Sequence, residues 1–260
     1  MKRESRMPSR AAVGTLAWWV IAACASAPVH QPDGYALRKS YELTPPRDHM
    51  TGRIELLEDV RIRPEMRKAI TEAYGGDPCA AHPPSVLGAL CGDPHHAPLR
   101  PAMLRLIDAD GRVIATRLLD RPLAFLGGAN LYEDRRSSYA VTVDLSAGAG
   151  SYSGPYTRFA EPDRRGFNWI LVHSAGITDT LTMVSTLKTR WEILRDQTDS
   201  HAQFLVVRCR PAADAPAGSV AFTVTYERVM FDGARWHLLA RSEPGCYESD
   251  EPFPPRSKFP

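Results

Sequence analysis

Val220-Ala221-Phe222-Thr223-Val224-Thr225-Tyr226 alternates apolar and polar residues over most of its length, and Val220 to Phe231 runs through Asp232-Gly233 into Arg235 to Arg241. Period two puts alternate side chains on one face, as a half-buried strand requires. An Asp-Gly pair between two such runs supplies the positive-φ residues of a tight hairpin turn. The same grammar occurs upstream, where Met103 to Ile107 and Arg112 to Leu118 flank Asp108-Ala109-Asp110-Gly111. Further strands read at Arg53 to Leu57, Ser138 to Leu145, Trp169 to His173, Thr180 to Lys188 and Gln203 to Arg208. One helix is predicted near 63–74, with Pro64 in its first turn, Met66, Ile70 and Ala73 on one face and Gly75-Gly76 as the stop. The expected fold is mainly β, a β-rich α+β domain with a largely antiparallel sheet, since most spacers are too short for helical crossovers. Sandwich and barrel-like closures both fit.

The N-terminus carries a different signal. Lys2, Arg3, Arg6 and Arg10 precede the apolar run Ala11 to Ala23, which is 13 residues long. A membrane-spanning helix needs about 20 apolar residues, whereas a basic stretch followed by a short apolar run is the layout of a signal peptide. The run closes Ile21-Ala22-Ala23-Cys24, which resembles the lipobox of bacterial lipoproteins. The resemblance implies cleavage before Cys24, lipid on its thiol, and a membrane as partner through that lipid. Several acyl chains on one residue give stable anchoring, at roughly 0.8 kcal/mol per buried CH₂. Residue 25 is Ala rather than Asp, and the resemblance then implies the outer membrane, facing the periplasm. An ordinary secretory signal cleaved at Ala23-Cys24-Ala25 or Ala25-Ser26-Ala27 is the alternative. The expected organisation is a signal at 1–23, a lipidated tether at 24–50 that holds Pro28, Pro32, Pro45 and Pro46, and one β-rich domain at 51–260.

Charge bounds the partners. The formal net charge of +2 includes four basic residues and one acidic residue of the signal, and without them 28 basic residues face 29 acidic ones. A basic footprint of the kind nucleic-acid binders show is gone, so no nucleic acid is expected. An envelope protein or glycan is the expected partner.

Beyond Cys24 the chain holds Cys79, Cys91, Cys209 and Cys246, an even number for an oxidising compartment. Three pairings exist, and Cys79–Cys91 with Cys209–Cys246 joins neighbours along the chain. The second would pin the tail, so that Phe253 and Phe259 pack back on the sheet. Cys79, Cys91, His82, His95 and His96 also offer zinc-like ligands, but exported thiols pair, so neither a metal nor a cofactor is expected.

The candidate binding loop is the glycine-rich segment after the Ser138 to Leu145 strand, with Asp144, Ser146, Ser151, Tyr152, Ser153 and Tyr156 as its contact residues. Tyr and Ser among glycines suit recognition. The segment lacks the Gly-x-Ser-x-Gly spacing of a nucleophile elbow and the third glycine of a dinucleotide loop. Asp144 and Ser146 lack the ligand spacing of a calcium loop. A hydrolase can be sketched from Ser151 or Ser153 with His173 or His237, but any β protein of this size offers such a set. Trp169, Trp191 and Trp236 read as core residues. A non-enzymatic envelope binding or structural module is therefore the leading expectation, and a periplasmic hydrolase the alternative.

Overall fold

The computed structural model describes residues 30–43, 51–72, 87–91, 95–134, 136–143, 154–195, 201–212, 221–248 and 250–260. The chain is mainly β, its strands arranged in three sheets with a sandwich-like stacking, and one α-helix is present among the described residues. The first sheet runs in sequence order: β1 (Tyr35–Glu42), β2 (Gly52–Asp59), β3 (Met103–Asp108) and β4 (Val113–Leu118). The second holds β5 (Ala124–Gly128), β6 (Tyr139–Val143), β7 (Tyr156–Asp163), β8 (Gly166–Trp169) and β11 (Thr182–Val184), with β7 pairing β6, β8 and β11. The third contains β9 (Leu171–Ser174), β10 (Ile177–Thr180), β12 (Thr189–Leu194), β13 (Gln203–Pro211), β14 (Phe222–Phe231) and β15 (Trp236–Pro244). Its order is β10-β9-β15-β14-β13-β12, and only β15 with β9 pairs in parallel. Each sheet is open, so the sandwich-like reading stands and the barrel-like one falls away.

Strand periodicity makes the second sheet the middle layer. Tyr139, Val141 and Val143 of β6 and Ala160 of β7 pack with Ile54, Leu56, Leu104 and Leu106 of the first sheet. Their neighbours one residue along, Ala140 and Phe159, face Phe204, Val206, Val229 and Trp236 of the third. Phe159 and Phe204 are fully buried with ring centroids 4.7 Å apart, which fixes the spacing of these two layers. The outer face of the third sheet, with Leu205, Val207, Val224 and Tyr226, is covered by Tyr247 and Phe259 of the tail. Strand β13 is thus buried on both faces, as its unbroken apolar run suggests. The predicted Cys209–Cys246 disulfide is present, with a Cα separation of 5.0 Å. Cys91 is also disulfide-bonded, whereas Cys79 lies outside the described residues.

Both hairpins form, with φ +81° at Gly111 and +98° at Gly233. Asp232 Oδ1 accepts from the backbone N–H groups of Ala234 and Arg235 at 2.8 and 2.7 Å, fastening the second turn. The helix α1 (Pro64–Glu72) forms where predicted, and residues 73 and 74 of the expected span lie outside the described residues. Three expectations are revised. Strand β1 falls within the segment assigned to a tether at 24–50: its half-exposed edge carries Arg38, Lys39 and a register bulge, polar features that hide an edge strand while guarding it from further pairing. The single strand read at Trp169 to His173 is two, because Ile170, 4% exposed, carries the chain from the second sheet to the third. The long strand read at Thr180 to Lys188 divides between the end of β10 and β11.

Three carboxylates of β2 are buried, each with a cation. Glu55 meets Arg105 at 2.6 Å, Glu58 meets Arg67 and Arg38, and Asp59 meets Arg61 at 2.6 Å. The Arg61 guanidinium, aided by the N–H groups of Arg100 and Arg61, holds the Asp59 carboxyl well below its ordinary value of 3.8. A group whose folded-state pKa is depressed stabilises the fold above its unfolded pKa, and that contribution is lost as pH falls below it. Asp59→Asn should therefore destabilise by about 1–3 kcal/mol at pH 7, with the gap to wild type narrowing as pH falls from 5 toward 2. Urea midpoints across that range test this; a gap that widens in acid would refute it.

Candidate functional site

The seam between the first two sheets opens into a cleft of about 290 Å³, lined by Arg117, Leu118, Leu119, Asp120, Val141, Val143, Tyr156, Arg158 and Trp169. Its geometry follows from register. Tyr156 pairs with Val143 and Arg158 with Val141, so alternation puts all four on the same face of the middle sheet. Strand β4 delivers Arg117 and Leu118 to the same place, and the chain beyond it delivers Asp120.

The polar groups hold one another. The Tyr156 hydroxyl donates to Asp120 Oδ2 at 2.7 Å, and Arg158 Nη1 reaches the same oxygen at 3.4 Å. The Arg158 guanidinium lies 4.9 Å from the Tyr156 ring centre and 5.9 Å from that of Trp169. Arg117 approaches Trp169 to 5.3 Å and donates from Nη2 to the Phe167 carbonyl at 3.1 Å. Arg158 Nε is buried without a hydrogen-bond partner. Among the described residues, two guanidinium groups and one carboxylate leave the cleft with one net positive charge, set beside an indole and an exposed Leu118. Such a site is suited to binding an anion that also has an apolar face.

Of the residues predicted for the binding loop, Tyr156 lies in this cleft. Asp144, Ser146, Ser151, Tyr152 and Ser153 lie outside the described residues. The chain leaves β6 at Val143 and re-enters β7 at Tyr156, and both residues line the cleft. Sequence reasoning missed Arg117, Asp120 and Arg158. Trp169, expected in the core, is half-buried and packs against it while also lining the cleft, and Trp236 is buried as expected.

The histidines of the hydrolase sketch meet across the parallel pairing of β9 with β15, their rings 6.2 Å apart. His173 Nδ1 shares a hydrogen bond with Thr178 Oγ1 at 2.8 Å, and His237 Nε2 with Asp232 Oδ2 at 2.6 Å. That pair belongs to the turn at Asp232, on the opposite face of β15 from Trp236. In the zinc-like constellation Cys91 is oxidised, which removes a thiolate ligand. Among the described residues no helix is long and apolar enough to cross a membrane.

A second polar cluster joins the middle and third layers. Trp236 Nε1 donates to the Tyr132 hydroxyl at 2.9 Å, Tyr132 is hydrogen-bonded to Glu161, and burial pushes its phenol pKa far up. Arg136 covers the Tyr132 ring at 3.7 Å. Comparison of the chain with protein-family models, with curated proteins and with solved structures gives no match.

Proposed function

We propose that this chain is a lipid-anchored protein of a bacterial envelope that works as a non-enzymatic binding module, with the Arg117, Arg158 and Trp169 cleft as its ligand site. The cleft carries the reading, because it joins fixed positive charge, an aromatic side chain and open access. Its carboxylate, Asp120, is already committed to Tyr156 and Arg158, a state that suits shaping a binding site better than abstracting a proton. The anchor rests on the lipobox resemblance at Cys24, and the outer membrane on Ala25. The partner is an envelope glycan or protein.

Two measurements test the proposal. Cells expressing the full chain should incorporate labelled palmitate, and Cys24→Ala should abolish the label; incorporation that survives the substitution removes the anchor. A photocrosslinking side chain at Leu118, 58% exposed at the cleft mouth, should give a defined adduct in intact envelopes that Trp169→Ala abolishes. Adducts from other surface positions but none from Leu118 would remove the cleft.

A further inference from the structure

Resting on that reading of the cleft, we infer that its ligand is a monocarboxylate with an apolar face. Charge decides the valence. Among the described residues, Arg117 and Arg158 against Asp120 leave a surplus of one, which a single negative charge neutralises, whereas a doubly charged phosphate would sit against the Asp120 carboxylate.

The hold on Arg158 decides the kind of anion. Its contact to Asp120 is long at 3.4 Å and its Nε has no partner, so its guanidinium is only partly satisfied within the protein. Tyr156 already donates to Asp120 at 2.7 Å, so Arg158 can turn to a ligand without stranding that carboxylate. A carboxylate matches the guanidinium fork with two parallel hydrogen bonds. Arg117 gives one of its five N–H groups to the Phe167 carbonyl and keeps its position over Trp169, a second donor on the same platform.

Shape and lining decide the body. Trp169, Leu118, Val141 and Val143 line the same cleft, so the ligand presents an apolar surface opposite its charge. About 290 Å³ sits at the small end of ligand sites, which begin near roughly 300 Å³. A body of about one ring fits within it. A uronic-acid sugar and an alicyclic acid share this chemistry.

Isothermal titration of the full lipidated chain in detergent would use D-glucuronate and cyclohexanecarboxylate as probes, with D-glucose and inorganic phosphate as controls. At least one acid should bind saturably at one per chain, about tenfold or more tighter than either control, and which acid wins identifies the sugar or the apolar source. Arg158→Ala and Arg117→Ala should each weaken binding about tenfold or more, the loss expected for a charge-assisted hydrogen bond. Arg158→Lys, which keeps the charge but loses the fork, should fall between, and Arg190→Ala, outside the cleft, should change nothing. Phosphate binding as tightly as the acids, no binding by either acid, or acid binding indifferent to both arginines would overturn the inference. If the acids fail while the Leu118 crosslink succeeds, the ligand class is wrong and the cleft stands. If both fail, the functional reading falls with it.

Discussion

Replacing Arg67 with alanine should lower the unfolding free energy by about 3 kcal/mol, because it strips a buried carboxylate of its main counter-ion. Glu58 is fully buried on β2, and the Arg67 guanidinium of α1 contacts both its carboxylate oxygens. Arg38 of β1 adds an ion pair at 3.3 Å, and the Ala124 N–H of β5 donates at 3.1 Å. Arg67 also donates to the Ala124 carbonyl at 3.3 Å and lies 4.9 Å from the Phe125 ring centre. One carboxylate thus ties the helix, two strands of the first sheet and the edge of the second. Without Arg67 it stays buried with a reduced partner set, and burial of a poorly paired charge is what makes the loss large. The pair itself is a weak net stabiliser, since its desolvation offsets most of the attraction. Glu58→Gln with Arg67→Met should therefore recover much of the loss. Urea unfolding of the three proteins tests both halves, and a loss under about 1 kcal/mol for Arg67→Ala would show that Arg38 alone suffices.

That network explains why parts of the fold were readable and parts were not. The hairpins at Gly111 and Gly233 were legible because positive φ selects Gly and leaves a local mark. The tail disulfide was legible from the even cysteine count and the proximity of the two cysteines along the chain. Strand β7 was missed: Tyr156-Thr157-Arg158-Phe159-Ala160-Glu161-Pro162-Asp163 breaks its alternation with polar residues. Those residues make sense only in a middle layer, where Arg158 serves the cleft and Glu161 meets Tyr132. Strands β1, β10 and β12 lie at sheet edges, where exposure dilutes the period-two signal. Strand β5, with Gly127-Gly128 in only five residues, gives almost none.

The cleft was the least legible feature, and the reason is geometric. Arg117, Asp120, Arg158 and Trp169 come from three strands and a connecting segment, and no spacing in the chain foretells that β4 and β8 will abut. Sequence period sorts side chains into faces. Which face meets which is set by sheet stacking, and a site made at that seam inherits the same opacity. Tyr156 was found because the neighbouring glycines flag a loop, a signal independent of stacking.

Opening the Cys209–Cys246 bridge should have the largest effect on stability, near 4 kcal/mol for cysteines 37 residues apart in the chain-entropy model. Cys246→Ser isolates the bond: Cys246 is exposed, whereas Cys209 is fully buried, so a serine there would add the cost of a buried hydroxyl. A reductant is a poorer tool, because Cys91 is disulfide-bonded as well. The bridge pins a tail that acts as the cover of a layer. Phe259 packs edge-on to Tyr226 at 5.6 Å and stacks on Phe253, Lys258 pairs with Glu243 at 2.7 Å, and Arg241 donates to the Lys258 carbonyl at 2.6 Å. These tail contacts are short-range and partly exposed, so without the bridge the segment should detach before the sheets melt. Detachment uncovers Leu205, Val207, Val224 and Tyr226 on one face, an apolar patch of the kind that drives association. Cys246→Ser should thus show faster tryptic cleavage after Arg256 and Lys258, stronger binding of a hydrophobic dye under native conditions, and a lower thermal midpoint. Loss of midpoint with unchanged cleavage and dye binding would mean that the bridge acts on the unfolded chain alone, and that the aromatic contacts hold the tail unaided.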